Sequence, residues 1–187
     1  MKQFKKVMLV LLLSFASVSF AQKEKTNSDT RQFIENAEIT QINRDWNGLA
    51  EFRSGLGESV DFYPIEVINL KTNQIIKSLQ LDMSVSNGNG GFYYKYSWID
   101  SSEIEEFIYF LEQYVIPNLE EKIDFNKTKT YIINLKEITF NFRIAKPNRK
   151  ISIYLKDNGI TDNEHYFWTE SQVNKIPDLL RVLKALL

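Results

Sequence analysis

Cysteine is absent from this chain, histidine occurs once, at His165, and the 187 residues include only four prolines and seven glycines. The missing thiols exclude disulfides, thiolate metal centres, redox pairs and cysteine nucleophiles, and a lone imidazole excludes any site that needs two. With no covalent staples an apolar core has to hold the fold, and a chain of this length can bury one. Long apolar runs are scarce as well. The run from Val7 to Phe20 is shorter than the roughly 20 residues that a membrane-crossing helix needs.

That run has the form of a secretory signal peptide. Lys2, Lys5 and Lys6 precede it, and the small residues Ser19 and Ala21 stand three and one positions before Gln22, the spacing that a signal peptidase accepts. Residues 1–21 are therefore read as the signal. The rest is read as an exported domain, periplasmic or extracellular, with no stable membrane insertion. Losing three of 23 basic residues leaves 20 against 24 acidic ones, so the formal charge moves from −1 to −4. A mildly acidic chain with no wide basic face speaks against nucleic acid as a partner. Nucleotides are scarce outside the cell, and no cofactor is expected.

Residues 22–37 (QKEKTNSDTRQFIENA) are polar and charged and read as a flexible lead, with Phe33 and Ile34 as the first residues suited to packing. No linker or low-complexity tract follows, so residues 38–187 are expected to form one domain. Its first part carries strand signals at Leu49 to Phe52, Ile65 to Leu70 and Ile75 to Val85. The cluster Asn87-Gly88-Asn89-Gly90-Gly91 then closes a hairpin onto Phe92 to Ile99. From Ile104 to Val115 the apolar period changes to three and four, which predicts a helix with a capping box at Asp100 and Glu103 and an end at Pro117.

Strands return at Thr130 to Leu135, Ile138 to Ile144, Ile151 to Leu155 and His165 to Trp168. Thr169 and Gln172 offer a second capping box before a stripe running from Val173 to Leu187, in which Pro177 predicts a kink or a restart. The fold class is thus α+β: a largely antiparallel sheet with two amphipathic helices on one face. Aligning Asp100 with Thr169 superposes the apolar frames of the two helices, and Ile68-Asn69-Leu70-Lys71 recurs as Ile133-Asn134-Leu135-Lys136. Both point to a duplicated unit of strands and one helix, once a small insertion reconciles their spacings.

Chemical motifs are incomplete. Gly57-Glu58-Ser59-Val60-Asp61 has Asp61 where a nucleophile elbow needs its second glycine. Glu103, Glu105 and Glu106 suit a helix start, where negative charge is favoured. Asp157, Asn158, Asp162, Asn163 and Glu164 supply oxygen donors without the spacing of a calcium loop, and no metal is assigned. Arg143, Lys146, Arg149 and Lys150 cluster around the Pro147 turn, where charge solvates a hairpin tip and deters edge pairing.

The suggestive feature is aromatic. Phe92, Tyr94, Tyr96 and Trp98 share one face of a strand. Such a row is in the first place a core face, because aromatics dominate burial. Exposed, the same rings would stack on a saccharide or anchor a protein. Tyr94, Tyr96 and Trp98 are the candidate ligand-binding residues, with Tyr166 and Trp168 extending the surface. The function read from this is an exported, non-catalytic binding or interaction protein with a protein or saccharide ligand. Two alternatives are a carboxylate-based hydrolase of envelope or extracellular polysaccharide and a periplasmic inhibitor or immunity-type protein. Amino-terminal sequencing of exported material is expected to begin at Gln22, and a start far from it would remove the signal assignment.

Overall fold

The structure is a computed structural model that describes residues 27–156 and 165–187. In chain order the described elements begin with α1 (Asp29–Asn36), β1 (Thr40–Arg44), β2 (Ala50–Arg53), β3 (Ser59–Asn69), β4 (Ile75–Ser86) and β5 (Phe92–Asp100). Next come α2 (Ser101–Phe110), β6 (Thr128–Asn134), β7 (Ile138–Ala145), β8 (Arg149–Leu155), β9 (His165–Thr169) and α3 (Ile176–Lys184). The α+β class and the antiparallel pairing stand, but the strands divide into two sheets. One has the order β1-β3-β4-β5, with β2 also on β3, and the other has the order β6-β7-β8-β9.

Each sheet turns an alternating apolar face inward. Leu79, Leu81 and Met83 of β4, Phe140 and Phe142 of β7, and Ile151 and Ile153 of β8 join the helices in one core. Helix α2 bridges the sheets. It touches β4 and β5, while its Phe107 packs edge-on against Phe140 at 5.4 Å between ring centroids. Helix α3 lies against β2 and β3. The two helices therefore join one core to which both sheets contribute, instead of covering one face of a single sheet.

Pro64 sits inside β3, where a missing N–H would cost a ladder bond. The sheet accommodates it at a gap: β1 pairs β3 up to Arg44 opposite Ile65, β2 resumes with Ala50 opposite Phe62, and Pro64 falls between them. Its carbonyl accepts from Asp45 N–H at 3.0 Å. Gly48, in the turn joining β1 to β2, lies so close that a Cβ there would stand 2.9 Å from the Pro64 ring.

The Asp100–Glu103 capping box forms at the start of α2. The second one does not. Thr169 Oγ1 donates to the Arg53 carbonyl at 3.0 Å and Gln172 accepts from Arg53 N–H at 2.7 Å, so both clamp the end of β2. The chain then makes one 3-10 turn at Val173–Lys175 before α3 starts, with Pro177 in its first turn where no N–H is needed.

The two signals of the repeat fall on different elements. Matched helix frames place β3, β4, β5 and α2 against β7, β8, β9 and α3, element for element. The tetrapeptide places the β3–β4 turn against the β6–β7 turn, one strand out of step: two strands separate Lys71 from Asp100, but three separate Lys136 from Thr169. No small insertion reconciles them, and the four-residue match belongs to a different register.

Gly48→Ala is expected to lower stability by about 1 to 3 kcal/mol through overpacking against Pro64. Urea unfolding reads this as a lower midpoint with an unchanged slope. An unchanged midpoint would show that the turn has room to give.

Candidate functional site

A buried polar junction fixes the geometry of the site. Glu137, in the β6–β7 turn, is fully buried. Its carboxylate accepts from Ser28 N–H (2.9 Å), Ser28 Oγ (2.6 Å), Arg31 Nε (2.7 Å), Arg31 Nη2 (2.8 Å) and Trp98 N–H (3.2 Å). Asp100 beside it accepts from the first two amides of α1, Asp29 N–H at 2.7 Å and Thr30 N–H at 3.0 Å, and from the Lys136 ammonium at 2.8 Å. Glu103 receives Asp100 N–H and Lys136 N–H. Carboxylates at a helix start neutralise its orphan donors, so α1 is capped by residues far along the chain. The ordered chain thus begins earlier than residue 38, within the segment read as a lead.

Burial acts to raise all three carboxyls. For Glu137, hydrogen bonds and charge from Arg31 and Ser28 outweigh it and hold the group below the ordinary range. For Asp100, Lys136 and the α1 amides do the same. At Glu103 burial prevails and the carboxyl is raised. These acids are engaged in holding α1 and α2, and they do not flank a cleft.

The open surface lies one step along β5. In the first sheet β5 pairs only with β4, so its far edge is an edge of the sheet. Trp98 N–H points away from β4, to Glu137. In an antiparallel ladder both backbone groups of a residue point the same way and the direction alternates along the strand. The N–H and C=O of Tyr96, Tyr94 and Phe92 therefore also point outward, and among the described residues no strand pairs with them. Asn87 N–H donating to the Gly91 carbonyl fixes the same phase from the hairpin end. Phe92 through Tyr96 are all exposed, on both faces of the strand.

The outer face beside this edge has a defined row. Glu51, Asp61, Asp82 and Tyr96 are successive cross-strand partners over β2, β3, β4 and β5. Asp82 accepts from Tyr63 Oη at 2.5 Å and from Gln80 Nε2 at 2.7 Å. Burial and the facing Asp82 raise the Asp61 carboxyl, and Arg53 only partly opposes them. The Asp61–Asp82 pair has the proximity that a carboxylate-based hydrolase wants. It sits on an open sheet face, however, with both Asp82 oxygens occupied.

The sequence-derived aromatic set is split. Tyr94 is 77% exposed and Tyr96 57%. Trp98, on the same face, is 5% exposed, which corrects its place in a ligand surface. The α1 helix covers it, with Phe33, Ile34 and Tyr63 in the same cluster and the Arg31 guanidinium 4.6 Å above its ring. Tyr166 and Trp168 lie on the outer face of the other sheet, turned away from the shared core, and do not extend the Tyr94–Tyr96 surface. Ser59 begins β3 rather than a strand-to-helix turn, and the His165 ring packs edge-on against Tyr93. The Asp157 to Glu164 loop lies outside the described residues. The Pro147 turn borders an open groove of about 440 Å³ that includes Glu120, Arg149, Glu170 and Asn174.

No family model matches the chain. No curated protein is similar to it in sequence. The fold and the site therefore define only a class: an α+β domain of two antiparallel sheets with an open aromatic strand edge.

Glu137→Gln is expected to destabilise by about 3 kcal/mol, since it leaves Arg31 without its charge partner. The pH dependence has a definite sign. Glu137 and Asp100 are held low in the fold, so their contribution is complete above the ordinary carboxyl range near pH 4 and is lost as pH falls through their folded values. Glu103 runs the opposite way, favouring the fold on protonation. Asp61, raised as well, runs with Glu103, so the Glu137 contribution is read by difference: as pH falls below about 4, the stability of Glu137→Gln measured by chemical unfolding is expected to decline less than that of the parent protein. A Glu137→Gln profile parallel to that of the parent protein would remove Glu137 as the source.

Proposed function

We propose that this is an exported, non-catalytic interaction protein that captures an extended segment of a partner protein along the Phe92–Tyr96 edge of β5. One observation carries the reading: the residues whose rings stand exposed on the outer face, Tyr94 and Tyr96, are the same ones whose backbone donors and acceptors point out of the sheet. Added strands gain affinity from main-chain hydrogen bonds and specificity from alternate side chains. Both are offered here by three residues over about 14 Å, enough for a partner strand of about five residues. An aromatic edge left open is otherwise an aggregation hazard. Lys95, in its middle, limits self-association. The acidic row ending at Tyr96 favours a partner with a basic side chain at that position. Export rests on the signal-like residues 1–21; no helix among the described residues is long and apolar enough to cross a membrane.

The test is Tyr94→Pro. Its N–H points away from β4, so proline removes an edge donor and leaves the internal ladder intact. Peptides selected from a random display library on the parent protein are expected to lose binding to this variant and to slow hydrogen exchange at the Tyr94 and Tyr96 amides. Selected peptides that bind the variant equally well, or that leave those amides unprotected, would overturn strand capture.

A further inference from the structure

The outer face of the second sheet has the opposite character. Its rows run Ile132, Asn141, Ser152, Trp168 and, beside it, Thr130, Arg143, Lys150. Arg143 and Lys150 are direct cross-strand partners. Like charges so placed repel, yet among the described residues neither is paired with a carboxylate and no carboxylate lies on this face. The Lys150 ammonium instead stands 5.3 Å from the centre of the Trp168 ring and 3.4 Å from Tyr166 Oη. Trp168 is 38% exposed, and across the same face Arg143 on β7 and Ile132 on β6 are exposed too. Tyr154 and Tyr166 continue the platform with rings 4.5 Å apart. The middle of the row is closed: Ser152 is buried with its hydroxyl 3.3 Å from Tyr166 Oη, and Asn141 Oδ1 is buried too.

We infer that this face binds an acidic saccharide, with a sugar ring on the exposed part of Trp168 beside the Lys150 ammonium and its carboxylate between Arg143 and Lys150. Charge complementarity selects the ligand. Two cations on an otherwise acidic chain match sparse negative charge, one carboxylate per sugar. A nucleic acid, with a phosphate at every step, calls for a broad basic surface. None of these residues belongs to the β5 edge, so this inference stands or falls apart from strand capture.

The probe is polygalacturonate, compared by titration calorimetry and tryptophan fluorescence with its fully methyl-esterified, uncharged form and with a single-stranded DNA 12-mer. Polygalacturonate is expected to bind and to weaken with added salt. The esterified form and the Trp168→Ala and Arg143→Gln variants should each bind at least about tenfold more weakly, the scale of one lost ring or charge contact. Tyr94→Pro should bind as the parent protein does. Arg143 is exposed and leaves the fold intact, so its variant remains informative if Trp168→Ala unfolds. Absence of polygalacturonate binding, equal binding of the esterified form, or an Arg143→Gln variant that binds like the parent protein would overturn the inference. Tighter binding of the DNA would assign the face to nucleic acid instead.

Discussion

The carboxylate of Glu137 is the contact on which the rest of the architecture depends. A charge with no exposed surface is tolerated only when its lone pairs are filled, because bringing it out of water costs several kcal/mol. Five donors fill them, four from Ser28 and Arg31 and one from Trp98. A turn of the second sheet thereby holds a helix against the outer face of the first. The same contact decides where the edge of β5 closes. Trp98 N–H is satisfied by Glu137, and the next outward-facing residues toward the hairpin, Tyr96 and Tyr94, are left open. Stability and the shape of the candidate site rest on one side chain.

The two outer faces differ in character. On the first, α1 covers Trp98, Ile65 and Val67 and leaves an acidic and aromatic strip beside an open edge. On the second, rings accompany cations. The sheets share one core through their inner faces, so the outer faces point away from each other and two ligands would not compete for space. The helices make this possible. By joining the shared core, α2 and α3 leave both outer faces to the strands, where alternation presents every second side chain.

Much of this architecture was legible in the residues. Alternation located most strands, the change of period located α2, and the Asn-Gly cluster located the β4–β5 hairpin, whose Gly88 and Gly90 do take positive φ. The misses have physical reasons. In β1, Thr40–Arg44, only Ile42 is apolar, so no alternation marks it. The first half of β3 was hidden by Pro64, because the gap that accommodates it is a property of strand order. Helix α1 was read as a lead since its composition is polar: its N-cap Ser28 is local and accepts from Arg31 N–H, but the carboxylates that anchor it, Glu137 and Asp100, are far away along the chain. Local patterns report local partners. For the same reason Trp98 could not be told from Tyr94 and Tyr96: the row was visible, but not the helix lying over one end of it. Nor does any strand reveal from its own residues that it will lie at an edge.

The separation between Ser28 and Glu137 also sets an order of events. A chain is made amino terminus first, and 109 residues lie between these partners. At about 5 to 20 residues per second, α1 waits roughly 5 to 20 s for the residue that anchors it. Until then Trp98, Tyr63 and the outer part of β5 have no cover, and the edge that Glu137 later closes is open along its whole length. The nascent protein therefore exposes more apolar strand edge than the finished one at the surface proposed for strand capture, and the arrival of a single turn is what shortens that exposed edge.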